Sequence, residues 1–361
     1  MTSQNQPLQT AADPSPAAGE QSVIRIASPA DLLDAVPYLL GFHPDRSIVV
    51  VAFRQPPDQF HVAFRYDLPD PPTTESALDI ASHAAEVLTR SGVSCAAIVG
   101  YGARSLVGPV FRQISLQLAT AGITLIESLR AEGGRYWSYM CQNPDCCPPE
   151  GVPFGQVPGP AAVAAVTLGL TALPSRAHLA ATIAPQDGLA RRAMRHATTD
   201  ARRWLARLAR DPANLRAQVT TTGRDLISAA IAASSNGNRQ SDSDAARLSV
   251  LLTDIRVRDE AWAQIDPAAI RPHLDLWSDM TRRAVENVAA CASLLAFAAW
   301  TAGDGALASI AIERALAADP GYSMARLISQ ALQVGMPPMT TRLTAPAETA
   351  DADKDAPASS A

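Results

Sequence analysis

The chain has 361 residues, 47% of them hydrophobic and 18% charged, so it is long enough and apolar enough to form two domains of ordinary size. Its net charge of −5, from 30 basic and 35 acidic residues, excludes general attraction to polyanions. The cysteines number five, which is odd, and the sequence has no basic and apolar leader. The apolar run at 288–302 is shorter than the roughly 20 residues of a membrane span. Together these features predict a cytoplasmic protein without a membrane span.

The first part of the chain begins with a tail and a helix. Residues 1–20 are polar, rich in Pro and Ala and aperiodic, which predicts a disordered tail, and residues 341–361 predict another. A short strand at 23–26 precedes a helix at 29–40, for which Ser28 is the expected N-cap and Gly41 the stop. Pro37 predicts a kink in this helix.

Strands and helices then alternate. The β-branched run at 47–53 predicts a strand buried on both faces, and the alternating segment at 60–68 predicts its hairpin partner. The next elements expected are a helix at 74–91, a strand at 95–101, a helix at 105–121, a strand at 123–129 and, after Gly133-Gly134, a strand at 135–140. Residues 21–160 are therefore predicted to be an α/β domain with a mixed sheet and flanking helices, ending in a Cys- and Pro-rich loop.

Beyond about residue 160 the strand pattern stops, and residues 161–340 predict an all-helical domain. Helices are expected at 161–170, 175–184, 188–210, 213–234, 243–265, 268–282, 285–301, 304–318 and 322–334.

One helical pair matches a single tetratricopeptide repeat. Ala296, Ala308 and Ala315 are the small residues where two helices touch, Gly303-Asp304 is the turn, and Asp319-Pro320 ends the second helix. Because a free-standing solenoid takes about three repeats, an ordinary helical hairpin and a repeat-type peptide groove both stay open.

Several motifs resemble a known family. They are SPADLLDAVPYLLGFHPDRSIVVVAF, FRYDLP, GGRYWSYMCQNPDCCPPEG and GDGALASIAIERALAADPGY. Together they resemble an actinobacterial family described as a domain of unknown function (DUF4192), over nearly all the chain between the two tails. The resemblance implies a bacterial cytoplasmic setting and the two-part layout, and it implies no activity.

Three cysteines, Cys141, Cys146 and Cys147, fall within seven residues in the pattern C-x4-C-C. Three thiolates can hold zinc, with His43 or His61 as a fourth ligand, although adjacent cysteines usually point in divergent directions. A redox role is a second interpretation, although a reducing cytosol disfavours a Cys141–Cys146 disulfide. Small thiols packed beneath a Pro-rich loop are the third.

A ligand site is predicted where a strand ends and a helix begins, in VGYGARS at residues 99–105. Gly100 and Gly102 permit close backbone approach, Arg104 adds charge, Ser105 can cap the helix, and helix N-terminal amides attract anions. Neither of the phosphate-binding motifs G-x-G-x-x-G and G-x-x-x-x-G-K-[ST] is present, so a plain strand–helix connection is the alternative.

Further polar residues on or beside the strands are candidates for the same site: His43, Arg65, Asp67 and Arg135. A histidine with carboxylates and arginines can do acid–base work on an anionic substrate, but solvated charges give the same pattern. No nucleophile motif accompanies them.

The helix at 189–210 has a basic face that includes Arg195, Arg202 and Arg203. Such a face can bind a protein partner or an anionic surface, or it can simply be solvated. Without a helix-turn-helix pattern, it does not predict sequence-specific nucleic-acid binding.

Two functions follow from these patterns. The first is a non-catalytic binding or scaffold protein that docks a partner through its helical domain. The alternative is a sensor or enzyme for a small ligand, a phosphorylated metabolite or nucleotide, with its pocket at the edge of the sheet and a structural zinc.

Overall fold

The computed structural model describes residues 24, 26–54 and 59–336. The tails predicted at 1–20 and 341–361 lie outside the described residues. Of the strand predicted at 23–26, Ile24 and Ile26 are not part of a strand, and residues 23 and 25 lie outside the described part.

The first described elements follow the sequence closely. Helix α1 (Pro29–Leu40) begins at Ser28, whose hydroxyl accepts the Asp31 amide at 3.2 Å, and it ends at Gly41, where φ is 74°. Strands β1 (Ser47–Arg54) and β2 (Gln59–Asp67) form the predicted antiparallel hairpin. Glycine is favoured at position 41 because a left-handed φ is disfavoured for residues with a Cβ.

The remaining elements of the sheet region are α2 (Thr74–Arg90), β3 (Cys95–Tyr101), α3 (Arg104–Thr120), β4 (Thr124–Glu132), β5 (Arg135–Ser138) and β6 (Val152–Pro153). The six strands form one sheet in the order β2-β1-β3-β4-β5-β6. Strands β3 and β4 are parallel and the other neighbours are antiparallel, which confirms the mixed sheet. The short strand β6 lies in the segment that the sequence predicts as a loop.

The sheet has an apolar layer on each face. Ile48, Val50 and Ile98 pack in one cluster with the buried residues of α2 and α3. Val49, Val51 and Val99 alternate with them and belong to a second cluster, shared with α1 and with the helices after residue 160. A continuous core therefore crosses the boundary that the sequence suggests near residue 160.

The second part of the described chain is largely helical, as expected. Its helices are α4 (Pro160–Thr167), α5 (Arg176–Thr182), α6 (Gly188–Leu208), α7 (Pro212–Ser235), α8 (Asp242–Leu251), α9 (Ile255–Ala263), α10 (Ile270–Arg283), α11 (Val288–Thr301), α12 (Gly305–Ala318) and α13 (Ser323–Gln333). None of the described helices is both long and apolar enough to cross a membrane.

The single helix predicted at 243–265 is wrong, because the structure has two helices there, α8 and α9. The Asp254 carboxylate accepts the Arg256 amide at 2.9 Å, so Asp254 starts a new helix where the sequence pattern suggests continuation.

Helices α11 and α12 form a tight hairpin. Ala296, Ala308 and Ala315 are fully buried, and the turn passes through Gly303 at φ 80°. The Asp304 carboxylate then accepts the Leu307 amide at 2.8 Å and starts α12.

Candidate functional site

A cavity of about 750 Å³ lies at the carboxyl ends of β3 and β4. This volume is within the range of about 300–1,000 Å³ that is typical of small-molecule sites. Its walls come from α1, the loop before β1, the start of α3, the β4–β5 turn and the segment after β6. The lining side chains include Leu33, Asp34, Tyr38, His43, Asp45, Arg46, Asp70, Tyr101, Ser105, Leu106, Glu132 and Phe154.

Two polar residues of the cavity wall, Asp34 and Tyr101, influence each other electrostatically. Burial raises the pKa of Asp34, and the backbone amide of Gly159, which donates to its carboxylate at 2.9 Å, partly opposes this rise. Burial, with the nearby charge of Asp34, also raises the pKa of Tyr101. The Tyr101 hydroxyl has no hydrogen-bond partner among the described residues. A buried hydroxyl without a partner is unfavourable, so this wall favours a ligand or water that supplies one.

The start of α3 faces the same cavity. Helix α3 begins one residue before the predicted position, with Ala103 at the N-cap and no side-chain hydrogen bond there, so Ser105 does not cap it. The first-turn amides of Arg104 and Ser105 are therefore without a side-chain acceptor, and such amides attract anions. Gly102 has a φ of 130°, and the chain passes close to the backbone of Arg46 there. A Cβ added to Gly102 would lie 3.9 Å from the Cα of Arg46.

Two of the four carboxylates around the cavity are already paired. Asp70 pairs with Arg46 at 2.5 Å, and Glu132 pairs with Arg130 at 2.5 Å. The wall is consequently less negative than its formal charge suggests.

The structure brings three of the predicted ligand residues to the cavity: His43, Gly102 and Ser105. Gly100 lies inside β3, where an added Cβ would be 2.2 Å from Cγ1 of Val107, so glycine is needed there for packing. Arg104 is exposed in the first turn of α3 and is not among the lining residues.

The other predicted ligand residues, Arg65, Asp67 and Arg135, do not line the cavity and make structural contacts instead. Arg65 and Asp67 form an ion pair on β2, and the Arg65 guanidinium lies over the Phe42 ring at 5.7 Å. Arg135 donates to the carbonyl of Gly151 at 2.7 Å and so holds the Cys- and Pro-rich segment against β5.

Sequence reasoning missed Asp34 and Tyr101 as members of the site. Asp34 lies inside a helix, and Tyr101 ends a buried strand. Each residue fits the pattern of its own element, and neither pattern indicates that the two residues line one cavity. Only the tertiary fold, which places α1 and the carboxyl end of β3 on the same cavity, brings them together.

The three cysteines of the segment after β5 also converge. The sulfur atoms of Cys141, Cys146 and Cys147 all lie within 4.8 Å of one another. The carbonyl of Asn143 accepts the amides of Cys146 at 3.1 Å and Cys147 at 2.7 Å, which turns the chain back towards Cys141. The expected divergence of the adjacent cysteines is therefore not observed, and all three are free thiols.

Neither His43 nor His61, the expected fourth ligands, belongs to this cluster. His61 lies on β2, and β1, β3 and β4 separate that strand from β5. His43 lines the cavity at the carboxyl end of β3, whereas the cysteines follow Ser138, at the other end of β5.

The thiols influence one another's protonation. The Cys147 thiol contacts the Cys141 sulfur and lowers the pKa of Cys141, with a further contribution from the backbone amide of Asn143. The same contact with Cys141, together with burial, raises the pKa of Cys147 to about 12.

The Cys-rich segment connects the thiols with the cavity. The Trp137 indole donates to the Pro149 carbonyl at 2.9 Å, and β6 pairs with β5. The Phe154 amide then donates to the Gly134 carbonyl at 3.0 Å, which places the Phe154 side chain on the cavity wall.

The three arginines predicted to bind a partner lie on α6. Arg202 pairs with Glu286 at 2.8 Å and Arg203 with Asp200 at 3.1 Å. Arg195 is exposed, and no ion pair involves it in the described part of the chain.

The fold and site define a protein with a mixed α/β sheet, a helical region that shares its core, and a cavity at the carboxyl edge of the sheet. The family model described as Domain of unknown function (DUF4192) matches residues 29–339, and the chain belongs to this family. No curated protein and no solved structure matches the chain.

Proposed function

We propose that the protein binds a small phosphorylated metabolite or a nucleotide in the cavity at the carboxyl edge of its sheet. The observation that carries this proposal is the uncapped start of α3, which opens onto a cavity of about 750 Å³. Ligands of α/β proteins favour this edge, where helix N-terminal amides face the phosphate.

The phosphate would lie against the amides of Arg104 and Ser105, within reach of the Ser105 hydroxyl. Arg46 lines the cavity, and both partners of its ion pair with Asp70 are more than half exposed, at 56% and 58%. Exposed pairs contribute only about 0–1 kcal/mol, so a phosphate can replace Asp70 as the partner of Arg46.

The rest of the ligand would extend towards Asp34 and Tyr101. A ligand hydroxyl or amino group that donates to Asp34 and accepts from Tyr101 would satisfy both side chains. The cavity therefore fits a ligand with a phosphate at one end and hydrogen-bonding groups at the other.

The sharpest test is Ala103→Asp. An aspartate at the N-cap supplies the missing acceptor, so it should stabilise the unliganded protein by about 1 kcal/mol and repel a phosphate from the same amides. Thermal shift and calorimetry with inorganic phosphate, a hexose phosphate and a nucleoside monophosphate are expected to show binding to the native chain and at least tenfold weaker binding to the variant.

Ala269→Asp is the matched control, because Ala269 is the N-cap of α10 and also lacks a side-chain hydrogen bond. It adds the same charge outside the cavity and should leave ligand affinity unchanged. The proposal fails if none of the three probes binds the native chain, or if Ala103→Asp binds them as tightly as the native chain does.

A second candidate is partner docking through the helical region, which the exposed face of α6 favours. Leu189 is 77% exposed, and the exposed Arg192 and His196 follow it on the same helix face. A partner with an acidic segment and an apolar residue fits this surface.

The likeness of α11 and α12 to a tetratricopeptide repeat is part of this second proposal. Fully buried alanines where the two helices meet support it. Eleven of the 14 residues of α11 are buried, however, so α11 has little surface for a peptide and the docking surface is better placed on α6.

The docking proposal is tested by titration with a labelled acidic peptide that carries one leucine. Arg192→Glu with Arg195→Glu should weaken binding at least tenfold, whereas Arg271→Glu, an exposed arginine of α10, should not. Equal binding by all variants, or no binding to the native chain, would contradict it.

A further inference from the structure

The three thiols after β5 have the arrangement of a metal site. Their sulfur atoms lie within 4.8 Å of one another, and tetrahedral zinc with bonds of about 2.3 Å needs sulfur atoms about 3.8 Å apart. Rotation of the cysteine side chains can bring sulfur atoms that lie within 4.8 Å of one another to the roughly 3.8 Å that zinc needs, so the backbone is already suitable for binding.

The backbone supports the sulfur atoms in a second, independent way. The Asn143 carbonyl accepts the amides of Cys146 at 3.1 Å and Cys147 at 2.7 Å. Asn143 thus orients the two adjacent cysteines, so that their sulfur atoms lie beside that of Cys141.

Hydrogen bonds to β4 and β5 fix the position of this turn. The Ser138 hydroxyl accepts the amides of Met140 at 3.1 Å and Cys141 at 3.2 Å, and it donates to the Glu127 carboxylate at 3.1 Å. The first cysteine is therefore attached to the sheet, and the turn brings the other two to it.

We propose that Cys141, Cys146 and Cys147 bind one zinc ion as three thiolates, with solvent as the fourth ligand. Solvent is assigned because no fourth His, Cys, Asp or Glu of the described chain joins the cluster and because Cys146 is exposed. Binding releases three thiol protons to solvent, and the resulting centre has a net charge of −1. Zinc is the metal chosen because thiolates are soft ligands and zinc needs no redox partner.

The zinc would close the segment between β5 and β6. Residues 141–147 would be joined to one ion, while Trp137 and Arg135 hold residues 149–151. The site is separate from the cavity, so its metal content can be measured whether or not any phosphate binds.

Metal content is the direct test. Chain purified with a phosphine reductant and without chelators is expected to contain about one zinc per chain by elemental analysis. Cys141→Ser, Cys146→Ser and Cys147→Ser should each lower this content at least fivefold. Cys95→Ala removes a buried thiol outside the cluster and should keep the full content.

Cobalt replacement provides a second measurement that does not depend on the variants. Cobalt added to the metal-free native chain should give the visible bands of a tetrahedral site and a near-ultraviolet thiolate band, and zinc should displace both. Circular dichroism verifies that each serine variant is folded. A reduced native chain that takes up neither zinc nor cobalt, a disulfide among the three thiols under these conditions, or full zinc content in the serine variants would each overturn the proposal.

Discussion

Gly100 shows how strictly single positions are constrained in the packing between β3 and α3. A Cβ at this position would lie 2.2 Å from Cγ1 of Val107, so Gly100→Ala forces α3 away from the sheet. We expect a loss of about 1–3 kcal/mol in unfolding free energy, the usual effect of overpacking a core. Urea denaturation at constant m-value measures this loss.

Gly108, also on α3, provides the control for that experiment. No atom lies within 4 Å of its would-be Cβ, so Gly108→Ala should stabilise the protein by about 0.5–1 kcal/mol through helix propensity. If Gly100→Ala unfolds at the same urea concentration as the native chain, then Val107 does not pack closely enough against Gly100 to exclude a Cβ.

His273 gives the folded state a pH dependence. It is buried, its Nε2 accepts the Asp266 amide at 3.3 Å, and burial lowers its pKa below the ordinary 6.5, opposed by the charge of Asp266. The unfolded chain therefore takes up a proton at a higher pH than the folded chain does, so stability is lost as the pH falls below about 6.5. The loss attributable to His273 should be at most about 1.4 kcal/mol between pH 6.5 and 5.5.

The comparison with His273→Gln isolates this contribution. Its unfolding free energy should fall less than that of the native chain between pH 7.5 and 5.5. Parallel profiles for the native chain and His273→Gln would show that His273 is not kept neutral by burial.

At the level of elements, Gly151 is the point where the Cys-rich segment meets β5. Its φ is 83°, and a Cβ there would lie 2.6 Å from Cε2 of Trp137. Gly151→Ala therefore combines left-handed strain of about 1–2 kcal/mol with overpacking of about 1–3 kcal/mol. We expect a lower urea midpoint and faster proteolysis between β5 and β6.

Gly169 separates the two contributions to this effect. Its φ is 78°, but no atom lies within 4 Å of its would-be Cβ, so Gly169→Ala introduces backbone strain alone. Gly151→Ala should be the more destabilising of the two. Equal losses would mean that Trp137 does not pack against this segment.

The elements themselves could largely be predicted from the sequence, because their signals are local. The β-branched run of β1 and the Ser28 cap of α1 depend only on neighbouring residues. The break between α8 and α9 was missed because the apolar pattern continues through it and only the Asp254 cap marks it. Strand β6 was missed because two residues carry no periodicity.

The candidate site was less predictable, because its residues meet only through tertiary packing. Gly102 and Ser105 could be anticipated from the turn between β3 and α3, whereas Asp34 could not, since it depends on where α1 lies. Spacing alone also misjudged Cys146 and Cys147, because the hydrogen bonds to Asn143 that orient them arise from the folded turn.

At the scale of the whole molecule, the end of α13 returns to the sheet region. The carbonyls of Gln333 and Val334 accept hydrogen bonds from His83 at 2.5 Å and Arg90 at 2.8 Å, both on α2. The Tyr66 hydroxyl on β2 lies 2.6 Å from the other ring nitrogen of His83. With the shared core, these contacts join the sheet and the helical region into one unit.

Truncation tests whether that unit unfolds as a whole. A chain that ends after Leu332 loses the bonds to His83 and Arg90, the bond from the Trp300 indole to Met336 at 3.2 Å, and the contact of Gly335 with Val87. A chain that ends after Met336 keeps all of them and is the matched control. We expect the shorter chain to be less stable by about 1–3 kcal/mol, since each lost hydrogen bond contributes about 1 kcal/mol.

Whether the sheet and the helical region unfold together depends on the core that they share. Because Val49 and Val51 of the sheet pack in the same cluster as Leu294 of α11, loosening α13 should destabilise the sheet as well as the helices. Amide hydrogen exchange in β1 and β3 is the probe of the sheet, and circular dichroism reports mainly the helices. In the shorter chain both signals should shift to the same lower urea midpoint. Two separate midpoints would instead show that the helical region and the sheet unfold independently.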